Sequence, residues 1–376
     1  ELGVIPKDSR DDNHNVTSED TSKYKYVQPG DFVINKMKAW QGSVAVSEYE
    51  GIVSPAYFIY KFTDDAFYRR YFHYLLRSCY KDEFMRLSGG IRVGQWDLPS
   101  VALDNTAVII PPMKEQKSIA AFLDVKCAEI DALTADIQTQ IDTLEQYKRS
   151  VITEAVTKGL NPDVEMKDSG TPWCPLIPIH WKYANPKALF TQRLDRAYPG
   201  DKQLTASQEY GVIYQDEYME LTGTKIVTVM KDFSILKHVE PNDFVISMRS
   251  FQGGLEYSER RGSISSAYVM LIPNNEYVYP PFYRWFFKSS KYINAIQSTS
   301  NLVRDGQAMR YANFAQVPLF IIPLDEQKQI SEYLDEKVRK IDEILKSKKS
   351  QLEILAEYKK SLIYEYVTGK KEVPAI

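Results

Sequence analysis

Two stretches of the chain carry the same long pattern of apolar and polar positions. In residues 112–157 apolar side chains recur at Ile119, Leu123, Ile130, Leu133, Ile137, Ile141, Leu144, Val151 and Ile152. In residues 323–368 they recur at Ile330, Leu334, Val338, Ile341, Leu345, Leu352, Leu355, Leu362 and Ile363. Steps of three, four and seven, with Lys, Glu, Asp and Gln between them, describe one apolar stripe sustained for about six heptads of helix. Each stretch opens at proline (Pro111 and Pro112, Pro323), has no glycine or proline inside it, and stops near glycine (Gly159, Gly369). The pattern predicts two helices of about 42 residues, roughly 63 Å each at 1.5 Å per residue. A narrow stripe on so long a helix is unstable alone. Each helix needs a partner of equal length, and antiparallel pairing of the two is the economical arrangement.

The two stretches align without a gap about 211 residues apart, with roughly 19 of about 46 positions identical. Glu115, Gln116 and Lys117 fall over Glu326, Gln327 and Lys328, and Tyr147 and Lys148 over Tyr358 and Lys359. The segments ahead of the helices repeat as well. Residues 27–34 (VQPGDFVI) lie over 239–246 (VEPNDFVI), a turn followed by a buried strand. Met37-Lys-Ala-Trp-Gln-Gly42 lies over Met248-Arg-Ser-Phe-Gln-Gly253, and residues 51–57 lie over 262–268. Each copy then has an aromatic helical stretch (67–84 and 282–296), an Arg-x-Gly-Gln loop, and an apolar strand (108–110 and 320–322) leading into the long helix. The order is domain, helix, domain, helix, and the polar joint at 158–171 reads as a linker. Residues 1–5 lie over 209–213, so the first domain lacks a counterpart of residues 173–208, about 36 positions. Such a unit predicts an α+β fold: two mixed, strand-rich domains in pseudo-twofold arrangement, joined by two long antiparallel coiled-coil helices. The boundaries are 1–110, 111–158 for the first helix, 159–172 for the linker, 173–322, 323–370 for the second helix, and a tail at 371–376.

Composition narrows the function classes. At 376 residues with 44% hydrophobic content, the chain can bury real cores. Its three cysteines, Cys79, Cys127 and Cys174, are scattered, and no apolar run is long enough to span a bilayer, so a cytoplasmic protein is expected. A net charge of −3 offers no bulk attraction for nucleic acid, so a DNA-binding surface would have to be a local patch.

The residues resemble a known family, the specificity (S) subunits of type I DNA restriction-modification systems. The resemblance is carried by the Pro-x-x-Glu-Gln-Lys helix entry used twice and by the Tyr-Lys-x-Ser exit at 147–150 and 358–361. It is also carried by the Asp168-Ser-Gly170, Trp173, Ile177-Pro and His180-Trp181 entry to the second half, and by the Ser-x-Ala-Tyr strands. It covers essentially the whole chain. It implies two target recognition domains, each reading one half of a bipartite double-stranded DNA sequence and held apart by the helices. It implies two methyltransferase subunits as partners, docked near Gln138, Gln140, Lys348 and Gln351, and restriction subunits in the full complex. S-adenosylmethionine, ATP and Mg would belong to those partners, with no cofactor in this chain.

A DNA reader must contact phosphate for affinity and base edges for sequence. The turn after the central strand offers both: Lys36, Lys38, Trp40 and Gln41 in the first copy, and Arg249, Phe251 and Gln252 in the second. It combines a cation for phosphate or guanine, an amide for adenine and an aromatic that can wedge or stack. Its plain alternative is a hairpin with the aromatic in the core. The Arg-x-Gly-Gln loops add Arg92, Gln95, Arg304 and Gln307, with Arg310 beyond, because glycine lets backbone approach a ligand while arginine donates a fork of hydrogen bonds. Residues 88–94 are glycine-rich but lack the lysine and hydroxyl of a phosphate-binding loop. Residues 279–282 (YPPF) resemble the Asn/Asp-Pro-Pro-Tyr/Phe loop of amino-methyltransferases, but tyrosine offers no oxygen that accepts from a target amino group. The histidines His14, His73, His180 and His238 have no metal-ligand spacing. The chain is therefore expected to be a non-catalytic recognition subunit. The alternatives are the recognition fragment of a fused modification enzyme whose catalytic domain lies elsewhere, and a coiled-coil structural protein.

Overall fold

The structure, a computed structural model, describes residues 3–9, 20–90, 96–226, 228, 233–247, 250–299 and 309–374, the side chain of Phe251 excepted. The chain divides into two compact units, one made of Glu1–Thr139 with Lys348–Ile376 and the other of Gln140–Ser347.

In the first unit Lys25–Val27 pairs antiparallel with Gly51–Val53. A second antiparallel sheet has the order Val44–Val46, Phe32–Asn35, Tyr57–Tyr60. The aromatic stretch folds as two helices, Arg69–Cys79 and Lys81–Leu87. Their inner faces (Tyr71, Phe72, Leu75, Leu76, Phe84) bury against Phe32 and Ile34 of the central strand, with Phe72 edge-on to Phe32 at 5.3 Å. Burying each such side chain contributes about 1.5–3 kcal/mol. The first long helix begins at Met113. The apolar run at 108–110, expected as a strand, has no ladder partner among the described residues and is not one: Ile109 is 64% and Ile110 49% exposed.

The second unit has the same plan with more strands. A four-stranded antiparallel sheet runs Glu256–Tyr257, Phe244–Ile246, Val269–Pro273, Phe190–Arg193. The equivalent apolar run, Leu319–Ile321, is a strand here because Lys182–Ala184 pairs with it. Helices Pro280–Phe286 and Ser290–Ser298 cover an aromatic core that includes Phe190, Phe244, Tyr283 and Phe287.

The long helices are Met113–Lys158, 46 residues, and Leu324–Val367, 44 residues. They pair antiparallel within each unit. In the first, Phe122 packs at a tilt on Tyr366, 4.4 Å between centroids, and Lys359 Nζ meets Asp131 at 2.5 Å. In the second, Lys148 Nζ meets Asp342 at 2.6 Å, the same ion pair at the matching repeat positions. Both pairs are partly exposed, so each contributes only about 0.2–1 kcal/mol, and the buried seam carries the pairing. That seam follows Leu123, Cys127, Ile130, Thr134, Ile137 and Ile141 at alternating steps of four and three. Leu133, expected on the stripe, lies one residue off the seam and is 48% exposed.

The doubled Glu-Gln-Lys entry has a structural explanation. Gln116 is fully buried: its Oε1 accepts from Tyr68 N at 2.7 Å, and its Nε2 donates to the carbonyls of Ala66 and Pro111, both at 2.8 Å. Gln327 makes the same three bonds to Tyr279, Tyr277 and Ile322. One amide thus ties the start of each long helix to the loop entering the aromatic helices. Eight residues further on, Asp124 accepts from Tyr74 Oη and Arg70 Nε, both at 2.7 Å, and its counterpart Asp335 accepts from Trp285 Nε1 at 2.8 Å and from Arg284.

His73 is largely buried in the first unit, where its Nδ1 accepts from Val46 N at 3.3 Å. Burial, then the charges of Arg77 and Arg70, push its pKa down to about 4. Between that value and the ordinary 6.5 the unfolded chain binds a proton that the folded chain does not. Stability of the first unit is therefore expected to fall as pH drops from 6.5 to about 4, and His73→Gln should flatten that slope in pH-dependent unfolding.

Candidate nucleic-acid interface

Each copy builds a rigid turn ahead of its central strand. In the first unit Gly30 has φ +92°, and the buried Asp31 carboxylate accepts from Gln28 N at 2.9 Å. In the second unit Asn242 occupies the left-handed position with φ +76°, and Asp243 accepts from Glu240 N at 2.9 Å. Asp243 is also gripped by Arg193, with Nε at 2.6 Å and Nη2 at 3.0 Å. The hydrogen bond to Asp243 pushes the Arg193 guanidinium up, so this partly buried arginine stays charged.

The strands Phe32–Asn35 and Phe244–Ile246 then deliver the chain to the predicted recognition turns. In the first unit Asn35 Oδ1 accepts from Met37 N at 3.1 Å, and Ala39–Gln41 form a single 3-10 turn closed by Gly42 at φ +83°. Ala39 is fully buried and pins the turn, which leaves Lys38 and Gln41 exposed. Trp40 is half-buried against Trp96, 5.3 Å between centroids, and its Nε1 donates to Met37 O. Lys36 is committed to Asp97 at 3.3 Å. Of the four residues named from sequence, Lys38 and Gln41 are thus exposed, Trp40 packs behind them, and Lys36 is partly neutralised. Arg92 and Gln95 lie outside the described residues. The flanks of their loop are closed by mutual backbone bonds between Gly89 and Asp97, 3.1 and 2.9 Å.

In the second unit Ser250–Gly253 form one helical turn, with Ser247 N donating to Ser250 Oγ at 2.8 Å. Gly254 follows with φ +81°, and a Cβ there would stand 2.0 Å from Phe287 O, so only glycine fits. Gln252 is exposed on this turn and Arg310 is exposed further along. Arg249, Arg304, Gln307 and the Phe251 side chain lie outside the described residues.

Sequence reading missed a basic and aromatic group in the second unit. Lys202 and Arg260 lie over the Tyr214 ring, at 5.2 and 4.9 Å from its centroid, and Arg261 lies over Tyr198 at 6.0 Å. Carboxylates share these cations: Glu217 is 3.1 Å from Arg260 and Glu240 3.6 Å from Arg261. Beneath them the buried His238 stands between Asp201 and Glu240, 2.7 Å from each. The adjacent pair Arg260 and Arg261 was the available signal. Among the described residues no group of three or more His, Cys, Asp and Glu could hold a metal ion, and no helix is long and apolar enough to cross a membrane.

On the long helices Gln138, Gln140 and Gln351 are exposed, while Lys348 falls on the seam and is half-buried. Apolar side chains stand exposed at matching repeat positions, Leu133 and Ile344, and Tyr147 and Tyr358.

In sequence the chain is similar to specificity subunits of type I restriction-modification systems. Residues 3–143 match the family described as the type I restriction modification DNA specificity domain. Over 371 residues, 95% of this chain and 82% of its relative, the sequence is 22% identical to a protein assigned as the type I restriction enzyme MjaX specificity subunit of Methanocaldococcus jannaschii. It is also 22% identical to the type I restriction enzyme EcoBI specificity subunit of Escherichia coli, over 82% of this chain and 66% of that one. The fold is shared with a chain from a structure of type I R-M complex assembly and conformational transition (TM-score 0.70, 13% identity, 93% of this chain and 84% of that one). It is shared too with the HsdS subunit from Thermoanaerobacter tengcongensis (TM-score 0.52, 13% identity, 94% and 84%).

Proposed function

We propose that the two units each read one half of a bipartite double-stranded DNA target, and that the chain itself performs no catalysis. One observation carries this reading: both copies place an exposed turn, with Lys38 and Gln41 in the first and Gln252 in the second, at the end of a buried strand held by the same aspartate-braced turn. The amides suit adenine edges and the lysine suits phosphate. The long helices dock two methyltransferase subunits, and restriction subunits join in the full complex; the exposed Gln138, Gln140 and Gln351 and the doubled apolar positions support this. S-adenosylmethionine, ATP and Mg are brought by those partners, and the complex works in the cytoplasm.

Binding titrations on targets scrambled in one half-site at a time, at two salt concentrations, test the reading. Gln41→Ala and Gln252→Ala should each cost about 1–3 kcal/mol and relax discrimination in a different half-site. Lys38→Ala should weaken binding uniformly and lower the salt slope by about one. If all three variants bind like the parent, these turns are hairpins only.

A further inference from the structure

The recognition turn of the second unit has a neighbour from elsewhere in the chain. Strands Leu204–Ser207 and Gly211–Tyr214 pair as an antiparallel hairpin with Ser207 opposite Gly211, which leaves Gln208, Glu209 and Tyr210 as its tip. All three tip residues are exposed. The tip is held in shape: Ser207 Oγ accepts from the backbone N–H groups of Glu209 and Tyr210, both at 3.3 Å, and Gly211 closes it at φ +67°. The hairpin is also seated firmly. Leu204 and Val212 are buried in a cluster with Val239, Val245, Ile264 and Met270, and Val245 lies on the central strand that leads to the turn Ser250–Gly253.

The side chain of Gln208 reaches that turn. A Cβ built on Gly253 would stand 2.5 Å from Gln208 Nε2 and 2.6 Å from its Cδ, so the amide head occupies the space that a side chain at 253 would need. The aligned glycine of the first unit, Gly42, is called for by its own backbone at φ +83°. Gly253 is not left-handed, and what excludes a side chain there is the Gln208 amide. The exposed Gln252 directly precedes Gly253, one Cα step of about 3.8 Å against a rise of about 3.4 Å between base pairs. Two glutamine amides from distant segments are thus delivered to one region of the surface. At the foot of the same hairpin the exposed Lys202 stands over the Tyr214 ring at 5.2 Å, with Arg260 over it at 4.9 Å. A polyanion lying along the hairpin would meet amides at its tip and cations at its foot.

We propose that Gln208 is a second specificity-determining residue of the second unit, an amide that reads a base edge close to the pair read by Gln252. The inference rests on the reading of the turn as a DNA contact and extends it to a hairpin outside the turn. The group recognised is an adenine edge in the major groove, where a carboxamide donates to N7 and accepts from the N6 amino group. Gly253 is the positioning residue, because the absence of a side chain there leaves room for the amide.

The test is a set of binding titrations with the full chain on the duplex that the parent selects from a random pool, changed one base pair at a time through both half-sites. Gln208→Ala should lose about five- to 150-fold of discrimination at one A·T pair. That pair should differ from the one relaxed by Gln252→Ala and lie within about two steps of it. Gly253→Ala should relax the same pair as Gln208→Ala, and adding it to Gln208→Ala should cost nothing further, as expected where one residue acts through the other. Unchanged discrimination at the remaining pairs reports that each variant is folded. If Gln208→Ala keeps discrimination at every pair while Gln252→Ala loses it at one, the inference is overturned and the reading of the turn stands. If neither variant relaxes any pair, both fall. Relaxation of the same pair by Gln208→Ala and Gln252→Ala would make Gln208 a brace for the turn, and uniform weakening with every pair still discriminated would make it a backbone contact; either result overturns the inference.

Discussion

Replacing Gln327 with leucine should destabilise the second unit by about 3 kcal/mol or more. The side chain keeps its size but strands one buried N–H and two carbonyls, each of which costs about 1–3 kcal/mol when left unpaired. Those groups belong to Tyr279, Tyr277 and Ile322. Gln116→Leu should have the same effect on the first unit through Tyr68, Ala66 and Pro111. The neighbouring Lys328 is exposed, so Lys328→Ala should stay within about 0.5 kcal/mol. Because a chain of two units does not melt as a single step, the measurement is hydrogen exchange at residues 66–68 and 277–279 under rising denaturant. Protection lost in one unit only, according to which glutamine is changed, is the expected pattern. Equal loss in both, or none, would show that the amide is not the tie.

Deleting one heptad from each long helix, residues 137–143 together with 348–354, should shorten each by about 10 Å, or roughly three base pairs at 3.4 Å per pair. A seven-residue deletion keeps the seam in phase, and removing it from both helices preserves the pairing of Asp131 with Lys359 and of Lys148 with Asp342. If the units read half-sites as proposed and helix length sets the gap between them, a methylation map of cells carrying the variant and the proposed methyltransferase partner will show the same half-sites around a gap shorter by about that amount. A map with an unaltered gap would mean that something other than helix length fixes the spacing.

The helices were legible because a stripe sustained over six heptads is a local, repetitive signal. Its fine phase was not: Leu133 reads as apolar stripe, yet Thr134 occupies the seam, because only the partner helix selects between adjacent residues. The repeat marked Gln116 and Gln327 as important without saying why. Their role depends on carbonyls that a loop about 50 residues away brings to them. The same holds for residues 108–110, whose apolar run reads as a strand in both copies and becomes one only where a neighbour supplies the ladder. At the candidate interface, sequence named Lys36 and Lys38 alike. The ion pair with Asp97 that separates them is set by a turn some sixty residues downstream.

The composition of the units also sets an order of assembly. The second unit is one unbroken stretch, Gln140–Ser347, whereas the first needs Lys348–Ile376 as well. Leu362, Tyr366 and Val367 are buried in its core, and Tyr71 Oη donates to Val367 O at 3.0 Å. On the ribosome, where domains usually complete in the order they emerge, the half encoded first must wait. Its opening residues leave the tunnel more than two hundred codons before the helix that finishes them, while the later half can close as soon as residue 347 is clear. A chain cut at Lys348 would accordingly leave the first unit, far upstream, without the helix that completes its core.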